Sequence, residues 1–397
     1  MEPIAAPAAE VPTPATRDGH ATVADLTPFT GIVRANTQGH TELARERLAD
    51  LVDDLLDQHE STDLQSHIFA AALAKRLDGS RHADMNLYLR RFAADSQISL
   101  FGLVAQHLPT VSVAGSVGND LLCDLMAPYD RVTLLDIGIG TGRQETAMLH
   151  ELARRGTLPQ QLTVFAVEPD PVSLAEAQHA LEATARVLDL DLEFHGRCCV
   201  VEELQESDWD ALGRTAGALV AFGAFAVHHV RPARGATDPR DVLFARLRAL
   251  QPVGIVLCEP NSDHHTPDFD RRFTNCWRHF GQTFRLIEQL SVGTRERNAM
   301  KMFFAREIED ILANSEETRC ERHEGVDTWL ARLRRAGFEP MRAPRLHRVY
   351  ECAPVEVTMH DGYVGLDYAG ETLVSILCAT GRAGRIEVQR DRASAVC

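Results

Sequence analysis

The stretch that most constrains this chain is Arg131-Val-Thr-Leu-Leu-Asp136-Ile-Gly138-Ile-Gly140-Thr-Gly142-Arg-Gln, an apolar run that ends in an acid and opens into alternating glycines. Val132, Leu134 and Leu135 suit a buried parallel strand. The glycines allow a tight turn in which the backbone approaches a ligand at the N-terminus of the next helix. A core that starts this way is expected to continue as strands alternating with helices.

That alternation is present. Leu162-Thr-Val-Phe-Ala-Val-Glu168-Pro-Asp170 is a second apolar run ending in an acid, and a helical pattern follows from Ser173 to Leu188. Ala218-Leu-Val-Ala-Phe222, Gly254-Ile-Val-Leu-Cys258-Glu259 and Leu373-Val-Ser-Ile-Leu-Cys378 add three more runs. The pattern predicts a parallel sheet covered on both faces, with its ligand beyond the carboxyl ends of the strands. Asp136, Glu168, Phe225 and Glu259 are expected to converge there.

Dinucleotides and S-adenosylmethionine are both held by a glycine turn after the first strand. The spacing here is G-x-G-x-G behind an acid, whereas the dinucleotide fingerprint is G-x-G-x-x-G and packs a diphosphate against the helix N-terminus. S-adenosylmethionine has no phosphate, and its sulfonium and amino groups are cationic, so Asp136 is expected as a partner or loop organiser. Glu168 is placed to accept hydrogen bonds from the ribose hydroxyls. It arrives later than the usual ~20 residues because the polar loop Arg154-Arg-Gly156-Thr-Leu-Pro159-Gln-Gln lengthens the crossover. The expected cofactor is S-adenosylmethionine, bound by Asp136, Gly138, Gly140, Gly142, Glu168 and Phe225.

Residues 1–27, rich in Ala, Pro and Thr, read as a disordered tail. Residues 28–127 read as a helical cap, with Leu43, Leu48, Leu51, Leu55 and Leu56 on one face, followed by Ile68 to Leu77, Leu87 to Phe92 and Leu100 to Leu108. The core spans 128–388 with a helical insertion at 262–320, where Phe269, Phe273, Trp277, Phe280 and Phe284 share a helix face. Residues 389–397 are a second tail. The net charge of −16 argues against a nucleic-acid partner, and no signal peptide or membrane span is visible. Nine cysteines without a C-x-x-C pair read as reduced thiols, with Cys258 and Cys378 in the core, and the expected compartment is cytoplasmic. A homodimer is left open.

At this point the chain resembles the GRAS family, best known as plant regulatory proteins and including bacterial members. Arg131-Val-Thr-Leu-Leu-Asp136 occupies the place of the family's VHIID block, and Pro109 to Leu122 looks like its preceding helix. Glu259-Pro-Asn261-Ser-Asp-His264 with Asp270-Arg-Arg-Phe273-Thr resembles the family's next block. Arg319-Cys-Glu321-Arg322-His323-Glu324, with Trp329 and Ala336-Gly337-Phe338-Glu339-Pro340 behind it, is the most specific likeness. Asp361-Gly362-Tyr-Val-Gly-Leu is similar to the C-terminal block, without its concluding Trp. The resemblance implies an α/β fold, a Rossmann-like class I methyltransferase sheet with an N-terminal helical cap and a helical insertion. Many plant members have lost the glycine loop, which stands intact here. That favours an S-adenosylmethionine-dependent methyltransferase acting on an apolar small molecule that carries a hydroxyl or carboxylate. The alternative is a non-catalytic GRAS-like regulator that binds a ligand or protein, and a dinucleotide oxidoreductase comes third.

Methyl transfer is an in-line displacement governed by orientation, and it needs a base only when the substrate must lose a proton. His228 and His229, beyond the fourth strand, are the candidate catalytic residues, with His228 preferred on position. Asn261, His264, Arg271, Phe273 and Trp277 are the candidate substrate contacts, the last two sharing a pocket edge with Met300 and Phe304. No metal is expected, because no rigid H-x-x-x-H spacing is present and methyl transfer does not require one. Arg319, Glu321 and Arg322 read as an ion-pair network, and Arg332, Arg334 and Arg335 as a solvated helix face. Cap, insertion and the His228 loop are expected to close one pocket beside the methyl donor.

Overall fold

The computed structural model describes residues 25–57, 64–79, 91–92, 95–231 and 237–381. Most of the first expected tail and all of the last therefore lie outside the described residues. The first helix among the described residues is α1 (Thr27–Thr37), started by Pro28 and burying Phe29, Ile32 and Val33. Thr41–Asp57 (α2) and Leu64–Leu77 (α3) follow. The helix expected at 87–92 is not found in its described part, because Arg91–Phe92 (β1) pairs antiparallel with Asp95–Ser96 (β2); residues 87–90 lie outside the described set. Gln97–His107 (α4) and Pro109–Met126 (α5) meet at 76°, with Leu108 extended before the proline.

The next segments build the sheet: Arg131–Ile137 (β3), Arg143–Arg155 (α6), Gln161–Val167 (β4), Pro171–Leu188 (α7), Asp191–Arg197 (β5), Glu206–Arg214 (α8), Ala218–Ala224 (β6), Pro239–Ala249 (α9) and Gly254–Pro260 (β7). These strands are parallel in the order β5-β4-β3-β6-β7. The order reverses across β3, which puts a crevice at its carboxyl end. Alternate residues of β3 feed two cores. Leu134 packs with Leu121, Met148 and Leu181 from α5, α6 and α7, while Leu135 packs with Trp209, Phe244 and Trp329 on the opposite face. Coverage on both faces is why the apolar run of β3 is continuous.

Beyond β7 come Phe269–Gln289 (α10), Thr294–Ala313 (α11), Val326–Ala336 (α12), Phe338–Pro340 (β8), Glu356–His360 (β9), Tyr363–Tyr368 (β10) and Glu371–Gly381 (β11). The wholly parallel sheet expected from the apolar runs is corrected here. β11 runs antiparallel to β7, and the ladder continues through β10 to β9 with β8 on the end of β11. Ala369 and Gly370 take positive φ and turn β10 directly into β11, which makes that pair antiparallel, whereas nothing in the apolar run of β11 records its direction against β7. The insertion is helical as expected, and the five aromatic residues of α10 are all buried. Its α10 and α11 pack on α1 and α3, so insertion and cap share one helical layer. All eight cysteines among the described residues are free, and Cys258 and Cys378 are buried. Among the described residues no single helix is long and apolar enough to cross a membrane.

Candidate functional site

Gly138, Gly140 and Gly142 all take positive φ. A Cβ on Gly138 would lie 2.7 Å from the Ala226 Cβ, and one on Gly142 would lie 2.9 Å from the Ala177 backbone. These two are glycines because neighbouring elements pack against the loop. Gly140 differs, for a Cβ there meets nothing within 4 Å. Glu168 organises the loop, its two carboxylate oxygens accepting the Gly140 N–H at 3.0 Å and the Asp170 N–H at 2.9 Å. The residue is buried. The carboxylate expected at the ribose hydroxyls is therefore engaged by backbone in this structure.

Asp136 is buried against Glu145 of α6. Burial, reinforced by the Glu145 charge, pushes the Asp136 carboxyl well above its ordinary range, and burial pushes Glu145 up to about 7. The two buried carboxyls hydrogen-bond each other, which the raised carboxyl allows by keeping its proton. Glu145, not Asp136, reaches the wall of a cleft of about 740 Å³ between the glycine loop and α4–α5, lined also by Gly138, Gly140, Asp170, Glu176 and Phe225. That volume suits a nucleoside-sized ligand. The open Gly140 edge leaves room for a ligand against the loop. Each Glu168 oxygen accepts one backbone N–H, and Asp170 and Glu176 are acids on the cleft wall itself.

The second polar region lies beyond β6 and β7. Phe225 takes a φ of +54°, and Val227–His229 forms one tight helical turn after it. The His228 Nδ1 lies 2.6 Å from Glu259 Oε2, and its Nε2 lies 3.4 Å from Glu321 Oε2. The other Glu259 oxygen accepts the Val227 N–H at 2.9 Å. Burial alone would push the His228 imidazole down, but the Glu259 carboxylate and then Glu321 carry it up to about 9. Burial, followed by the charge on His228, pushes His229 down to about 3. The His264 Nδ1 meets the His323 Nδ1 at 2.9 Å, and its Nε2 meets Ser262 Oγ at 2.9 Å. Burial, then the charge of His323 on His264 and of His228 on His323, holds both imidazoles well below the usual range.

The structure does not bring His228 to the glycine-loop cleft. His228 lines a smaller cavity of about 40 Å³ with His279 and His323. Phe225 and Phe101 border both spaces and contact each other edge-on, with centroids 6.2 Å apart. The single pocket expected from the sequence is thus two. His229 is drawn toward Glu321, its Nδ1 3.5 Å from Oε1. Asn261 ties elements together, donating to the Thr372 carbonyl and accepting the Val326 N–H. Arg271 has a side chain 64% exposed and pairs with Asp263 at 3.1 Å. Phe273 and Trp277 pack on Phe29 and Phe69 inside the helical layer, so they line neither space. An aromatic stripe carries no mark of which face is core and which is pocket.

The Arg319 and Arg322 network is present, with both guanidiniums on Glu316 and Arg319 also donating to the His264 and His265 carbonyls. Glu321 departs from it and faces the histidines. Arg332 is not solvated as expected but buried, bonding Glu324 and Asp238 at 2.6 Å and Asp241 at 2.8 Å. Arg240 carries no sequence signal of a role, yet it is fully buried and donates to the His228 and Arg322 carbonyls at 2.7 and 2.9 Å. It stands in a helix of alternating charge, where periodicity gives no sign of burial.

Fold and site together define an α/β protein with an open sheet, a ligand-sized cleft at its strand-order reversal and a helical layer beyond. The chain belongs to the GRAS domain family, which matches residues 27–351. It is 22% identical to "DELLA protein 2" of Medicago truncatula over 73% of this chain and 58% of that one. It is 24% identical to "Scarecrow-like transcription factor PAT1" of Arabidopsis thaliana over 62% of this chain and 52% of that one. The chain thus spans about half the length of the curated relatives it matches. The crystal structure of SCL7 from Oryza sativa shares the fold at a TM-score of 0.72 with 20% identity, over 89% of this chain and 99% of that one.

These findings correct the expectation of a methyltransferase acting on an apolar small molecule. The relatives are DELLA and Scarecrow-like proteins, one of them named a transcription factor. The expected partner, a small-molecule substrate to the exclusion of nucleic acid, falls with it. Net charge misled because it sums over the whole surface and says nothing of a local patch or of a protein intermediary.

Proposed function

We propose that this chain is a non-catalytic regulator of the GRAS type, in which a Rossmann-like class I methyltransferase sheet serves as a ligand-binding scaffold and the helical layer of cap and insertion engages a protein partner. The observation that carries the reading is the division of the site: the glycine-loop cleft is of ligand size, while His228, the residue expected as a base, lies on a separate cavity. Family membership and the regulator names of the relatives support the same conclusion. The ligand we propose for the cleft is S-adenosylmethionine or its demethylated product, held by the Gly140 edge and the Glu145 wall and read as a bound signal. Free cysteines suit a reducing, cytoplasmic setting.

Thermal shift and calorimetry test this reading. S-adenosylhomocysteine and S-adenosylmethionine are expected to raise the melting temperature and NAD is not, because only a ligand bound by the native state stabilises it. Mass spectrometry should recover the S-adenosylmethionine unchanged after prolonged incubation with cell extract of low molecular weight. Turnover to S-adenosylhomocysteine that depends on this protein overturns the non-catalytic reading, and absence of any stabilisation overturns the ligand.

A further inference from the structure

The histidine cluster holds an arrangement that neither the fold nor the proposed function requires. One ligand atom from each of His228, Glu321 and His323 lies within 4.8 Å of the other two. The Glu321 Oε2 stands 3.4 Å from His228 Nε2 and 3.2 Å from His323 Nε2. Zinc bonds of about 2.0–2.2 Å in a tetrahedron give donor separations of about 3.3–3.5 Å, so two edges of the polyhedron are already in place.

The surroundings are those of metal ligands. Histidine ligands are oriented by a partner on the other ring nitrogen. His228 has Glu259 at 2.6 Å on its Nδ1, and Glu259 is itself fixed by the Val227 N–H. His323 has His264 at 2.9 Å on its Nδ1, and His264 is fixed in turn by Ser262. Both Nε2 atoms are thereby turned to Glu321. The Glu321 backbone is anchored at Asp310, while its Oε1 has no hydrogen-bond partner although the residue is fully buried. Two carboxylates, Glu259 and Glu321, are buried beside these rings, an acidic setting in which a divalent cation can replace the proton shared with His228. The nearest guanidinium, Arg240, is already paired with Glu324 at 3.1 Å. His228 and His323 also border the cavity of about 40 Å³, which has room for a water as the fourth ligand.

We propose that His228 Nε2, Glu321 Oε2 and His323 Nε2 bind one divalent cation, with Zn²⁺ the best match, and that the ion pins the turn after β6 to the segment entering α12. A second trio, Asp238, His265 and Glu324, has the spacing but not the chemistry, since Arg332 already occupies both its carboxylates.

The test is metal titration of the full chain, stripped with a chelator and free of any histidine tag. Zn²⁺ competed against a chromophoric chelator is expected to fill one site, and Co²⁺ to give the intense visible bands of a four-coordinate ion. Glu321→Gln and His323→Gln should each weaken Zn²⁺ binding by more than about 100-fold, and Glu259→Gln, a positioning residue, by about 10–100-fold. His265→Ala should leave binding unchanged. A wild-type chain that takes up neither metal, or gives only the weak spectrum of octahedral Co²⁺, overturns the proposal without reference to any variant. So does loss of binding in His265→Ala.

Discussion

The glycine-loop cleft and the histidine cluster sit side by side at the carboxyl ends of the same sheet, built from the same kinds of residue, yet they are organised by opposite rules. The cleft is walled by the backbone of the glycine loop and by acids of α6 and α7, with Glu145 backed by the buried Asp136 carboxyl. The cluster is closed over by residues 319–324, and most of its polar atoms hold one another, Glu259 with His228 and Val227, and His264 with Ser262 and His323, while Glu321 Oε1 is left over. A polar group sealed from water needs a partner, because leaving it bare costs about 1–3 kcal/mol or more. The same side chains are therefore a recognition surface in one place and a structural joint in the other.

The sharpest way to break this comparison is Glu259→Ala. It removes the partner of a buried imidazole and the acceptor of the Val227 N–H, and is expected to cost about 3–5 kcal/mol in urea unfolding. A loss below about 1 kcal/mol would mean the cluster is no joint. Next in size are the glycines. Gly138→Ala forces a contact with Ala226 at positive φ and should cost roughly 2–4 kcal/mol. Gly140→Ala, facing open space, should cost only about 1–2 kcal/mol, the strain of positive φ alone. Equal losses in the two denaturation curves would show that the loop does not distinguish packed glycines from the one on the cleft.

The smallest effect is in pH. Glu145 is raised from an ordinary 4.5 to about 7 and Asp136 is raised with it, so the folded state holds protons that the unfolded chain releases. Their contribution is complete below about pH 4.5 and is lost as pH rises through 7. Stability should fall by roughly 1–3 kcal/mol between pH 5 and 8 from this pair, since each tenfold difference in proton affinity between folded and unfolded chains is worth about 1.4 kcal/mol. Glu145→Gln should flatten that part of the profile. An unchanged slope would show that the Asp136–Glu145 pair does not hold the proton in the folded state.

Much of this is legible in the chain itself. The continuous apolar runs of β3, β4, β6 and β7 announce buried parallel strands, and the 3.6 spacing of Phe269 to Phe284 announces α10. Asp191–Arg197 is harder to see, because an edge strand is half exposed and carries no continuous run. Tyr363–Tyr368 is hidden by Gly365 and Asp367. The glycine loop is plain, since glycines at alternate positions are required by local backbone geometry. The direction of β11 is not, because strand orientation is set by the length of the connection and not by the strand's own residues.

By itself the sequence determined what short-range physics decides: which segments are strands and helices, where the chain needs glycine, and that Asp136, Glu168 and Phe225 end neighbouring strands. Tertiary structure alone decided which polar groups meet. His228 and Glu321 are 93 positions apart in the sequence and 3.4 Å apart in space. Phe225 stands between cleft and cavity, and Arg332 turns inward to three carboxylates. Periodicity records which face of an element is buried, whereas the partner waiting on that face comes from a distant part of the chain, and only packing brings the two together.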